Sequence, residues 1–144
     1  MIYFDTAYML KCYVSETGSQ EVRTIWKTEP ATACCEFGKM EFVAALHRVH
    51  REGRVTTEEL GIILRRWHKD QELGLWNWMP LHAMIIDEVL RMFETLPQAV
   101  YLRTGDAIHL ACARENGFAE IYTNDRHLKL AASHWGLTAC DVVF

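Results

Sequence analysis

The amino-acid sequence predicts a three-layer α/β domain with a mostly parallel central sheet flanked by helices. Short apolar segments alternate with stretches of helical periodicity, which is typical of parallel strands joined by helical crossovers. The chain has 144 residues, and half of them are hydrophobic. This size and composition suit one folded unit with a substantial core, so we predict a single domain over residues 1–144.

The amino-terminal third predicts two strands and three helices. Ile2 to Phe4 is a short buried strand, followed by a helix from Thr6 to Val14. A second helix begins near Ser19. Ala31 to Cys35 is the next strand and feeds a longer helix, for which Gly53 is a plausible stop. The apolar residues that recur at helical spacing in this longer helix are Phe37, Met40, Ala44 and Ala45.

The middle of the chain predicts two helices with a strand between them. Thr56-Thr57-Glu58-Glu59 has the pattern of a capping box, so a helix begins there and extends to about Lys69. Leu75 to Met79 is the strand. Another helix follows Pro80 and is ended by Pro97. One side of it carries Ile85, Val89, Met92 and Leu96.

The carboxy-terminal part continues the alternation. Asp106 to Asn116 is a helix closed by Gly117, and Glu120 to Thr123 is a short, partly β-branched strand. Asp125 to Trp135 is helical, and Ala139 to Phe144 is the last strand.

Composition and charge narrow the function classes. No apolar run reaches membrane-spanning length, and the amino terminus lacks the features of a signal peptide. The five cysteines fit neither a zinc motif nor a secreted disulfide framework, which favours a reducing cytoplasm. The net charge of -4 argues against a protein that coats nucleic acid electrostatically. It does not exclude a nuclease whose acids bind cations.

Four acidic residues stand where a carboxylate needs a partner. Asp5 and Asp125 follow predicted strands, and ligands of such sheets bind beyond the carboxyl ends of the strands. Asp106 opens an apolar helix, and Glu41 lies on a semi-apolar helix face. Taken singly, the three aspartates also fit helix capping or the helix dipole. Glu41 requires a bound cation or a basic partner from elsewhere in the fold.

Four carboxylates gathered in one cleft would repel one another, so their convergence predicts a compensating cation. Oxygen-only ligands select hard ions, and Mg²⁺ or Mn²⁺ fits because it uses few protein carboxylates and keeps several waters. Such a site can activate water and stabilise a phosphodiester transition state. The predicted ligands are Asp5, Glu41, Asp106 and Asp125.

Motifs in chain order resemble the PIN domain family and, within it, the VapC-type toxins. Tyr3 to Lys11, followed by Glu16 to Ser19, resembles the amino-terminal signature of the family. Arg103 to Ala111 resembles its most recognisable motif, and Thr123 to Leu128 is similar to its closing motif. The family often has a hydroxyl residue shortly before its second acid, where this chain has Cys34-Cys35.

The resemblance implies an activity and its residues. Asp5, Glu41, Asp106 and Asp125 would be the four acids of the metal site, with Thr123 as a supporting hydroxyl. The protein would be a Mg²⁺- or Mn²⁺-dependent endoribonuclease, the toxin of a type II toxin-antitoxin system. A cognate antitoxin would hold it inactive, often within a toxin homodimer.

Two other functions stay open. A PIN-like module could bind RNA or a protein without cutting, although the four intact acids favour the enzyme. A phosphatase with an aspartyl nucleophile would usually have a second acid two residues after Asp5, and Ala7 stands there.

Some basic residues have open roles. His109 lies one turn beyond Asp106 and either packs the helix or contacts RNA or a ligand. A larger basic set either guides RNA phosphates or forms solvated helix surface. Its members are His47, Arg48, His50, Arg51, Arg54, Arg65, Arg66 and Lys69.

Overall fold

The computed structural model describes residues 1–142, and in that range short strands alternate with helices. The strands are β1 (Ile2–Tyr3), β2 (Thr32–Cys35), β3 (Trp76–Met79), β4 (Glu120–Tyr122) and β5 (Thr138–Cys140). The helices are α1 (Thr6–Tyr13), α2 (Ser19–Thr28), α3 (Phe37–Arg51), α4 (Thr57–Glu72), α5 (Ala83–Thr95), α6 (Thr104–Glu115) and α7 (Arg126–Ala131). A 3₁₀ turn, Ala132–Trp135, follows α7. None of these helices is long and apolar enough to cross a membrane.

All strand pairs described are parallel. β2 pairs with β1 on one side and with β3 on the other, and β4 pairs with β5. A parallel bridge between Phe4 and Tyr122 joins the two groups, and the Asp5 N–H donates to the Tyr122 carbonyl at 3.1 Å. The strand order is therefore β3-β2-β1-β4-β5, which confirms the predicted α/β class with a parallel sheet.

Alternating strand side chains build one core on each face of the sheet. Tyr3, Ala33 and Cys35 point into a core completed by α5, α6 and α7. Phe4 and Cys34 point into the other core, which α1 to α4 complete. The central strand β2 is thus buried on both sides, as its continuous apolar segment predicted.

The buried face of α3 only partly matches the apolar residues expected from the sequence, since Phe37 and Ala45 pack against the cores while Met40 and Ala44 do not. Its buried residues are Gly38, Phe42, Leu46 and Val49. Met40 is 62% exposed. The predicted set mixed two sides of the helix, because small alanines do not distinguish a core face from an exposed one. Glu41 therefore lies at the edge of the buried face, half-buried between the core and solvent.

Two predicted boundaries also change. The helix predicted from Asp125 to Trp135 divides into α7 and the 3₁₀ turn, and Asp125 stands outside it as the N-cap. The strand predicted over Ala139 to Phe144 ends at Cys140, and its last two residues lie outside the described residues.

The predicted capping box is confirmed, because the Glu59 N–H donates to the Thr56 hydroxyl at 3.1 Å and the Thr56 N–H donates to the Glu59 carboxylate at 2.7 Å.

Candidate active site

One pocket of about 90 Å³ brings the four acids singled out in the sequence together. It lies where β1 and β4 end and where α3 and α6 approach them. Its lining residues are Asp5, Thr6, Ala7, Glu41, Arg103, Asp106, His109 and Asp125. The acids come from four separate segments, so only the fold assembles them.

Asp5 caps a helix and lines the pocket at once. One carboxylate oxygen accepts the Tyr8 N–H at 2.8 Å, which caps α1. The other accepts the hydroxyl of Thr123, whose oxygen in turn accepts the Asp125 N–H at 2.9 Å. The Asp5 side chain is almost fully buried, and burial raises its pKa to about 6 despite these hydrogen bonds. The capping and functional interpretations of this residue are therefore compatible.

Glu41 is neutralised by a buried histidine. The His109 ring nitrogen Nε2 lies 2.7 Å from Glu41 Oε2, and the Thr6 hydroxyl donates to the same oxygen at 2.5 Å. On the other side of the ring, Nδ1 lies 3.0 Å from the Tyr3 hydroxyl. His109 is 2% exposed, so it packs the helix and also contacts a pocket acid.

The pKa values of this pair move in opposite directions. Burial alone would raise the pKa of Glu41, but the hydrogen bonds from His109 and Thr6 outweigh burial and lower it. Burial alone would lower the pKa of His109, but its contacts with Cys34 and Glu41 raise it well above its ordinary value. Both shifts favour the charged forms, in which a protonated His109 faces an ionised Glu41.

Arg103 joins the other two acids, and sequence reasoning gave it no role. Its guanidinium binds Asp106 through two hydrogen bonds, at 2.8 and 3.1 Å, and binds Asp125 at 2.8 Å. The Arg103 side chain is 57% exposed. The other Asp125 oxygen caps α7 by accepting the N–H groups of His127 and Leu128. The available signal was the spacing of three residues between Arg103 and Asp106, which allows an ion pair at a helix start.

The protein itself therefore supplies part of the charge compensation that the sequence argument assigned to a metal. Within residues 1–142, no three His, Cys, Asp or Glu side chains already stand together as a metal site would require. The donor chemistry nevertheless fits a hard cation, because all four acids offer carboxylate oxygens. Asp106 and Asp125 would become available to a cation only if the exposed Arg103 side chain rotated away from them.

Two glycines allow the elements of the site to approach closely. A Cβ at Gly105 would lie 2.7 Å from Glu41 Oε1, so α6 reaches Glu41 only without a side chain there. A Cβ at Gly38 would lie 2.6 Å from Cys34 Sγ and 3.3 Å from the Thr6 hydroxyl oxygen. Both positions therefore control where the Glu41 carboxylate sits.

Comparisons with known proteins agree with this architecture. The sequence model of the PIN domain matches residues 2–133. A search of curated proteins finds no significant match. Among solved structures, Mycobacterium tuberculosis VapC20, a sarcin-ricin loop cleaving toxin, aligns with a TM-score of 0.69 at 13% identity, covering 91% of this chain and 95% of that chain.

Two further structures are similar. VapBC2 from Rickettsia felis, bound to a DNA fragment from its promoter, has a TM-score of 0.66 at 13% identity and covers 98% of each chain. A toxin-antitoxin complex from Klebsiella pneumoniae has a TM-score of 0.59 at 18% identity and covers 87% of each chain. At these identities the likeness concerns the fold alone.

Proposed function

The chain belongs to the PIN domain family, and from that premise we propose that it is a VapC-type toxin of a type II toxin-antitoxin pair, acting as a metal-dependent endoribonuclease. The observation that carries the proposal is the single pocket lined by Asp5, Glu41, Asp106 and Asp125. The matched segment, residues 2–133, contains all four acids. We propose that the nuclease domain extends over the whole chain.

The four acids are the proposed ligands of Mg²⁺ or Mn²⁺. The chemistry that such ions supply is activation of water and neutralisation of phosphate charge. Thr123 orients Asp5 by its hydrogen bond and ties it to Asp125. His109 and Thr6 fix the carboxylate of Glu41. Arg103, released from Asp106 and Asp125, stays at the mouth of the pocket as a cation for incoming phosphate.

We propose that an antitoxin protein is the partner that restrains this activity, as the toxin-antitoxin complexes among the similar structures suggest. RNA is the proposed substrate, in line with the RNA-cleaving toxin among those structures. A toxin homodimer and a cytoplasmic location stay predictions from the sequence.

The test is cleavage of total cellular RNA by the purified, antitoxin-free protein with Mg²⁺ or Mn²⁺. We expect discrete cuts that disappear with EDTA and in Asp106→Asn, because both remove cation binding. Asp87→Asn is the matched control, since Asp87 is exposed on α5 and away from the pocket. Persistent absence of cutting by folded wild-type protein that binds Mn²⁺ would instead indicate an RNA- or protein-binding module.

A further inference from the structure

A second groove opens directly beside the acid pocket. It has a volume of about 230 Å³ and shares Thr6, Ala7 and Glu41 with the acid pocket. Its other lining residues are Leu10, Glu16, Ala45 and Arg48. We call it the α1–α3 groove, because most of its residues come from these two helices. A polymeric ligand that enters the acid pocket from this side must pass through the α1–α3 groove.

Arg48 gives the groove a cation with unused hydrogen-bond donors. Glu41, Ala45 and Arg48 follow one another at helical spacing, so they lie along one side of α3. Arg48 lies seven residues after Glu41, which corresponds to a rise of about 10 Å along the helix. Arg48 is exposed, and its guanidinium has no hydrogen bond or ion pair with any of residues 1–142.

The acid at the far end of the groove is already neutralised. Glu16 accepts a hydrogen bond from Lys11 at 2.8 Å and another from Arg54 at 2.8 Å. The Lys11 side chain is nearly buried, so this pairing is part of the fold. Glu16 therefore does not cancel the charge of Arg48, which remains available to an external anion.

The groove floor is small and apolar. Leu10 is buried, and Ala7 and Ala45 are half-buried. Such a floor accepts the apolar face of a ribose or base, while a guanidinium at the rim binds phosphate through paired N–H groups. Continuity with the acid pocket and a free guanidinium favour a nucleic-acid strand over a peptide as the occupant.

We propose that the α1–α3 groove holds the RNA nucleotide next to the cleaved bond, with Arg48 binding the neighbouring backbone phosphate. This inference rests on the proposed nuclease function. It assigns Arg48 a positioning role in RNA binding, separate from the acids that bind the cation.

The test compares Arg48→Gln with Arg51→Gln, both in an Asp106→Asn background that prevents cleavage. Arg51 is the matched control because it is exposed one turn further along α3 and lines neither pocket. The probe is a fluorescein-labelled single-stranded RNA of mixed sequence, and its affinity is measured by anisotropy over a series of salt concentrations. Thermal melting verifies that each variant is folded.

We expect Arg48→Gln to weaken RNA binding several-fold and to reduce the slope of log affinity against log salt by about 1, as loss of one phosphate contact should. Arg48→Lys should keep most of the slope, and Mn²⁺ affinity in the Asp106-intact protein should not change. Equal affinities and slopes for Arg48→Gln and Arg51→Gln would overturn the inference.

Two other outcomes separate this inference from the proposed function. If Arg48→Gln in the Asp106-intact protein cuts RNA as wild type does and binds it with unchanged affinity, the nuclease proposal stands and the assignment of the groove falls. Loss of antitoxin binding in Arg48→Gln, with RNA binding intact, would make the groove a peptide site and would also overturn it. Failure of the wild-type protein to cut or bind RNA would remove both proposals.

Discussion

The two sides of the acid pocket neutralise their charge in different ways. Glu41 pairs with His109, which is 2% exposed and is held by Tyr3 on its other side. Asp106 and Asp125 share Arg103, whose side chain is 57% exposed. A buried pair is fixed, because removing one partner leaves an uncompensated buried charge. The contrast lies in the cations, because Asp106 is itself buried while the exposed Arg103 guanidinium can exchange its partners with ions or water.

This difference assigns separate tasks to the two sides. The Glu41 side keeps one carboxylate in a constant position whether or not a cation is present. On the proposed function, the Asp106 side would exchange the guanidinium for a divalent cation, since both would compete for the same oxygens. A site with one preformed side and one exchangeable side would be stable without metal and would still accept it, as the proposed function requires.

The largest effect on RNA cleavage should follow from replacing Asp5, which belongs to neither pair. Asp5→Asn should reduce RNA cleavage at least a hundredfold, an order-of-magnitude estimate for loss of a metal ligand. The amide keeps the volume and can still accept the Tyr8 N–H, so the fold should persist. Growth after induction in cells, together with cleavage by the purified protein, measures the effect. Equal growth arrest by Asp5→Asn and wild type would remove Asp5 from the proposed site.

The stability of two single variants tests the comparison itself. His109→Gln should lower the free energy of unfolding by about 3 kcal/mol, because it breaks the buried pair with Glu41. Arg103→Gln should lower it by only about 1 kcal/mol, because the guanidinium is exposed, although its partner Asp106 is buried. Urea unfolding at neutral pH measures both. Similar losses in the two variants would show that the two sides do not differ as their burial indicates.

Replacing Arg103 should raise the affinity for Mn²⁺ but lower RNA cleavage, because the proposed function gives Arg103 a role in binding phosphate. Arg103→Gln removes the cation that competes for Asp106 and Asp125, so Mn²⁺ should bind about fivefold more tightly, the equivalent of about 1 kcal/mol for an exposed pair. Calorimetry with Mn²⁺ measures this without any RNA. Arg114→Gln is the control, because Arg114 pairs with Glu88 outside the pocket. Weaker Mn²⁺ binding in Arg103→Gln would mean that Arg103 supports the metal site.

Glu16 lies outside the acid pocket and combines a buried partner, Lys11, with an exposed one, Arg54. Burial alone would raise the pKa of Glu16, but the hydrogen bonds from Lys11 and Arg54 outweigh it and lower the pKa below its ordinary 4.5. The ion pairs therefore stabilise the fold above about pH 4.5, and this stabilisation is lost as the pH falls through the lowered pKa.

Glu16→Gln should accordingly cost about 1 kcal/mol at neutral pH, between the values expected for exposed and buried pairs. The difference from wild type should vanish in acid. Urea unfolding at pH 7 and at pH 3 tests this, and an equal difference at both values would contradict the assignment.

Local sequence signals predicted much of the fold and the positions of the acids. Asp5 and Asp125 follow strands and cap the next helices, so their surroundings were readable from a few neighbouring residues. The capping box at Thr56 was readable for the same reason. These features depend on contacts between residues close in sequence, where helix and strand chemistry decides the outcome.

The charge pairing was beyond local signals. His109 and Glu41 are 68 residues apart, so only the packing of α6 against α3 makes them partners. The same packing depends on the absence of a side chain at Gly105, and the sequence alone does not reveal that a close approach occurs there. The error on the buried side of α3 has a similar origin, because Met40 and Phe42 are both apolar and only the tertiary fold selects Phe42.

The most direct test of the exchange between Arg103 and a cation at Asp106 and Asp125 is anomalous diffraction from crystals of the protein soaked in Mn²⁺. We predict a peak within bonding distance of carboxylate oxygens of Asp5, Glu41, Asp106 and Asp125, with Arg103 turned away and the contact between His109 and Glu41 Oε2 unchanged. Absence of a peak, with Arg103 still bridging Asp106 and Asp125 at saturating Mn²⁺, would contradict both the metal site and the exchange between guanidinium and cation.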